Sequence, residues 1–80
     1  MDVRQRLATN VRRLRKERTG LSQERFAHEH GIDRTYVSGV ERGTRNPTIV
    51  VVERFASALG VDVQELFADP GVGSETPAGE

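Results

Sequence analysis

Apolar residues recur at intervals of three and four along most of this chain, with Gly and Pro standing between the runs. That interval is helical, because each residue advances about 100° around a helix axis. Leu7, Val11 and Leu14 form the first stripe and predict a helix from about Asp2 or Val3 to Arg18, broken by Thr19 and Gly20. Leu21 is expected to tuck back onto the core. Ser22 is a good cap for a second helix, on which Phe26, Ala27 and His30 share a side and which Gly31 ends. Ile32 plugs the turn, and Asp33 caps a third helix with Val37 and Val40 as its inward pair. The small Ala27 lets the second and third helices cross closely and steeply, the layout of a helix-turn-helix. Gly43 to Pro47 is a loop, since Gly and Pro both punctuate it. Thr48 caps a fourth helix to about Leu59, with Ile49, Val52, Phe55, Ala56 and Leu59 inward and Val50 and Val51 as extra apolar residues. Gly60 stops it, and Asp62 caps a short fifth helix through Phe67. The expected fold is all-α, a five-helix bundle with a central helix-turn-helix, with no strand and no repeat.

From Asp69 the composition changes to DPGVGSETPAGE. The expected division is therefore a domain over residues 1–68 and a disordered acidic tail over residues 69–80. Eighty residues, 35% of them hydrophobic, support a modest core, and chains this small often gain stability by oligomerising. Val50, Val51, Val63, Leu66 and Phe67 exceed what one such core is expected to bury, which points to a homodimer through the fourth and fifth helices. The absence of Cys excludes disulfides and thiolate metal sites. The basic N-terminus has no apolar run behind it, so neither signal peptide nor membrane span is expected, and a cytoplasmic location is.

The net charge of zero hides an asymmetry. Residues 1–46 hold eleven of the twelve Arg and Lys residues and six of the twelve acids, a net charge of +5, while residues 47–80 carry −5. On the third helix, the side opposite Val37 and Val40 carries Thr35, Ser38, Gly39 and Arg42, with Arg34 at the N-terminal tip. That face is short, polar and cationic. It suits a major groove, where Arg takes both acceptors of guanine and Thr or Ser reach bases or phosphates. Double-stranded operator DNA is the expected partner.

Other chemistries have little to stand on. His28 and His30 are two residues apart on a helix and point to different sides, so they do not chelate together; no metal is expected. There is no Cys nucleophile, Ser22 and Ser38 are accounted for by capping and DNA contact, and the glycines stand singly at helix ends rather than in a phosphate loop. Neither an enzyme nor a cofactor is expected, and no small-molecule pocket is evident.

The strings VRRLRKERTGLSQERFA, GIDRTYVSGVERGTRNPT and ALGVDVQELF resemble the Cro/lambda-repressor type of helix-turn-helix domain, the xenobiotic-response-element-like family. The resemblance covers about Leu7 to Phe67, with Gln23, Ala27, Gly31, Val37 and Val40 at the family's spacing. Within the family, DRTYVSGVERGTRNPT is most similar to the controller proteins of restriction–modification systems, stand-alone regulators that bind paired palindromic sites. Thr19 is a departure: it lengthens the first link relative to the commoner Arg-Gly-Leu-Ser-Gln run.

The resemblance implies roles for individual residues. Gln23 matches a position that contacts phosphate and braces the third helix. Arg34, Thr35 and Ser38 match base-reading positions, and Tyr36 a position at the DNA backbone. Arg45, Asn46 and Thr48 match the loop and helix start that grip phosphate. The fourth and fifth helices match the usual dimer surface. Glu41 lies about 70° from the centre of the third helix's buried side and needs a partner there; the family pattern suggests Arg15. Tyr36 lies at the other edge, placed for phosphate contact or packing. Two alternatives compete with a regulator: an antitoxin that represses its own operon and binds a toxin, and a protein-interaction module with a degenerate DNA face. The cationic third helix counts against the second, and scarce aromatics count against RNA.

Overall fold

A computed structural model describes residues 2–70 of the chain. Four α-helices form, α1 (Val3–Leu14), α2 (Gln23–His30), α3 (Arg34–Arg42) and α4 (Ile49–Leu59), and no strand occurs among the described residues. Each helix begins on a side-chain cap: Asp2, Ser22, Asp33 and Thr48 accept the amides of Gln5, Arg25, Tyr36 and Val51 at 3.0–3.2 Å. Gly31 and Gly43 close α2 and α3 at φ 64° and 76°. A left-handed residue there reverses the chain within a single position, which side chains with a Cβ resist.

The extra residue in the first link is absorbed inside the helix. Residues Arg15–Thr19 continue α1 as a π-helical turn, with the Gly20 amide reaching back to the Arg15 carbonyl at 3.1 Å. The Thr19 hydroxyl donates to the same carbonyl and accepts the Leu21 amide at 3.1 Å. A one-residue insertion in an α-helix is accommodated as a π turn without moving the flanking segments.

The expected fifth helix is corrected by the structure. It is one 3₁₀ turn, Val63–Leu66, so the fold is all-α with four α-helices and a terminal turn. The cause is local. Phe67 leaves helical geometry at φ −113°, ψ 5°. The carbonyls of Leu66 and Ala68 are instead taken by the Asn10 side-chain amide at 3.0 and 2.9 Å.

The core gathers Leu7, Val11, Leu14, Phe26, Ala27, Val37, Val40, Val52, Phe55, Ala56, Leu59 and Leu66. Phe26 and Phe55 stack with centroids 6.3 Å apart, and His30 packs on Phe26 at 4.8 Å. Two expectations about α4 and the terminal turn fail. Ile49 is 86% exposed, because it is the first residue after the cap and lies beyond the end of the buried stripe. Leu66, expected as interface surplus, is fully buried in this core, and Val51 and Phe67 are partly buried against it. Ile49, Val50 and Val63 are the large apolar residues of these segments left exposed. The proposed tail lies almost entirely outside the described residues.

Candidate nucleic-acid interface

The orientation of α3 is fixed from beneath. Val37 and Val40 enter the core, and Glu41 beside them is buried with a side-chain exposure of 2%. Its carboxylate accepts Arg15 Nε at 2.7 Å and Arg15 Nη2 at 3.0 Å, a bidentate pair, and also Gln23 Nε2 at 2.9 Å. Arg15 Nη1 donates to the Leu21 carbonyl at 2.7 Å, so one guanidinium ties the π turn, the following loop and α3 together. The hydrogen bond that Arg15 donates to Glu41 raises the Arg15 pKa above its ordinary value, against the opposing effect of desolvation. Gln23 thus braces α3 as expected, with its amide nitrogen turned toward Glu41.

On the outer side, Arg34, Thr35 and Arg42 are exposed and Tyr36 and Ser38 half-buried. Arg42 donates through Nη1 to the Ser38 hydroxyl, so these two members of the expected reading face form one polar unit. Arg45, Asn46 and Thr48 are exposed on the loop and at the start of α4. Within the expected set the structure pairs Arg42 with Ser38 and sets Arg45 beside Tyr36, leaves Arg34, Thr35, Asn46 and Thr48 exposed, and tucks Gln23 against Glu41.

Gly39 is a correction. Expected on the open face, it is buried, because the Arg45 side chain lies across it. The Arg45 guanidinium carbon sits 5.1 Å from the centre of the Tyr36 ring. The Thr44 amide and hydroxyl both donate to the Gly39 carbonyl, at 3.0 and 3.1 Å, and fold the loop back onto the helix.

Two further features escaped the sequence. Arg54 of α4 donates through Nη2 to the carbonyls of His30 and Gly31, both at 3.3 Å, and so clamps the turn ahead of α3. The arginines of α1 and its π turn are largely occupied within the fold: Arg6 donates to the Phe67 carbonyl, Arg18 to the Gly60 carbonyl, and Arg13 to Glu17. Part of the positive charge of the first helix and its π turn is therefore engaged within the fold. Arg54 had no signal beyond its being the lone cation of an otherwise acidic half.

Comparison with known proteins places this architecture. The helix-turn-helix family profile HTH_3 matches residues 11–66. Control protein C.MunI of Mycoplasma sp is 44% identical over 68 residues, covering 85% of this chain and 92% of that protein. The crystal structure of the restriction–modification controller protein C.AhdI from Aeromonas hydrophila superposes with a TM-score of 0.73 at 44% identity, over 80% of this chain and 96% of that one. The C.Esp1396I controller, solved as a tetramer with its natural 35 base-pair operator, superposes with a TM-score of 0.70 at 29% identity, over 85% and 99% of the two chains. The chain belongs to the helix-turn-helix family of the Cro/lambda-repressor type, a family of transcriptional regulators. Among its relatives are control proteins of restriction–modification systems, similar to this chain over most of its length.

Proposed function

We propose that this protein is a restriction–modification controller that binds a palindromic operator as a homodimer. α3 is the helix that enters the major groove. Arg34 reads a base edge with Thr35 and Ser38 beside it, and Tyr36, Arg42, Arg45, Asn46 and Thr48 meet the flanking strand. The observation that carries this reading is the cationic outer side of α3, held rigidly from below by the buried Arg15–Glu41–Gln23 cluster. A groove-binding helix needs such support, since a side chain displaced by 1 Å loses its bidentate partner. The similarity to control proteins over most of the chain favours this role over that of an antitoxin or interaction module.

The exposed Ile49, Val50 and Val63 support a dimer surface on α4 and the terminal turn, which sets two copies of α3 about one duplex turn apart. Selection of bound duplexes from a random pool tests the reading. Enrichment of a site with two-fold symmetry and half-sites centred about 10 bp apart is the expected result. Recovery of no enriched sequence, or of a single unpaired half-site, overturns it.

A further inference from the structure

α3 has a notch in its outer surface. Gly39 stands in a regular helical conformation, so its backbone does not require glycine. Glycine within a helix is unfavourable relative to alanine, and its presence here calls for a reason in packing. The surroundings supply one. A Cβ built at position 39 would lie 2.7 Å from Arg45 Cγ, 2.9 Å from Nε and 3.3 Å from Cδ. All three atoms belong to one side chain, and no atom of the core is among them. The nearest neighbours of the space above Gly39 are all atoms of Arg45.

Three contacts keep it there. The Gly39 carbonyl accepts both the amide and the hydroxyl of Thr44, which pins the loop residue before Arg45 to the helix. The stem of Arg45 then runs across the bare backbone of α3. Its guanidinium ends 5.1 Å from the centre of the Tyr36 ring, within the range of a cation–π contact. An arginine on an exposed loop ordinarily samples many rotamers, and ordering it on binding weakens affinity. The notch and the Tyr36 ring give it a defined seat on the helix.

We propose that Gly39 is a positioning residue for DNA binding: the missing side chain at position 39 seats Arg45 against Tyr36, so that a loop arginine is held beside α3 for its contact with the flanking strand. The inference rests on the DNA-binding reading above for its effect on affinity, and on the geometry alone for its effect on Arg45.

The sequence offers a clean reporter. Tyr36 is the only tyrosine and there is no tryptophan, so the near-ultraviolet circular dichroism of the chain is dominated by Tyr36. Three variants suffice: Gly39→Ala, Arg45→Ala and the double. Without DNA, Gly39→Ala is expected to melt at or above the parent temperature and to change the Tyr36 signal as Arg45→Ala does. With the selected operator as probe, it is expected to bind about tenfold more weakly, and to bind single-base variants of that operator more weakly by a similar factor. The double variant is expected to bind no more weakly than Arg45→Ala.

A parental Tyr36 signal and parental affinity in Gly39→Ala overturn the proposal. So does a double variant whose loss is the sum of the two single losses. Melting of Gly39→Ala below the parent also overturns it, since it would mean that something other than Arg45 fills the notch. If the parent chain binds no duplex, the DNA-binding reading fails, while the Tyr36 signal still decides whether Gly39 seats Arg45.

Discussion

Arg15 and Glu41 lie 26 residues apart and meet as a buried bidentate pair, with contacts of 2.7 and 3.0 Å. One belongs to the π turn after α1 and the other to α3, so the pair ties the support of the reading helix to the reading helix itself. Both charges are desolvated, and each is fully partnered. Removal of either leaves the other buried without its charge partner, at a cost of about 3–5 kcal/mol. Arg15→Ala and Glu41→Ala are each expected to lower stability by more than about 2 kcal/mol in chemical denaturation, a floor that allows for local relaxation. Midpoints within error of the parent would show that the pair contributes nothing.

This pair also marks how far the sequence could be read. Caps announced α2, α3 and α4, because an oxygen-bearing residue before an apolar run satisfies the helix start locally, while α1 was announced by its apolar stripe. Ser22 to Gly31 and Thr48 to Gly60 carried both a cap and a glycine stop, and the outer face of α3 followed from the angles of Val37 and Val40. The terminal turn was read as a helix because its fate depends on Asn10, a residue 56 positions away from Leu66. Gly39 was misplaced for a similar reason. Its helical angle points outward, and what covers it is a loop arginine whose path no local pattern encodes.

Asn10 is a second buried polar anchor. It sits fully buried on α1 between the apolar Leu7, Val11 and Leu14, and its amide holds two carbonyls of the terminal segment. Asn10→Ala frees those carbonyls and loosens the segment that places Leu66 in the core. A loss of about 1–3 kcal/mol is expected, the desolvation cost of buried groups left unpaired. Amide exchange of residues 63–67 is expected to quicken with it. Unchanged exchange there would show that the terminal turn does not depend on Asn10.

The dimer surface is open to a direct test through Val50. It is 63% exposed in the single chain, so a polar replacement disturbs little within it. At dilutions where the parent is dissociated, Val50→Glu is expected to melt within about 0.5 kcal/mol of it, as exposed positions do. Sedimentation is expected to show the parent as a dimer at tens of micromolar and the variant as a monomer. A monomeric parent, alone and with DNA, contradicts the proposed assembly.

In the proposed function, the reading of bases rests on Arg34. It stands exposed at the first residue of α3, where side chains project toward base edges, and its guanidinium matches both acceptors of a guanine. Arg45 comes from the loop, and its loss is expected to weaken binding to all sequences alike. The decisive measurement is a binding profile over every single-base variant of the selected operator, for the parent, Arg34→Ala and Arg45→Ala. Arg34→Ala is expected to flatten preference at one base pair in each half-site, by about 1–3 kcal/mol, while the other positions keep theirs. A profile for Arg34→Ala with the parent's preferences intact at every position would contradict the assignment of α3 as the helix that reads the operator.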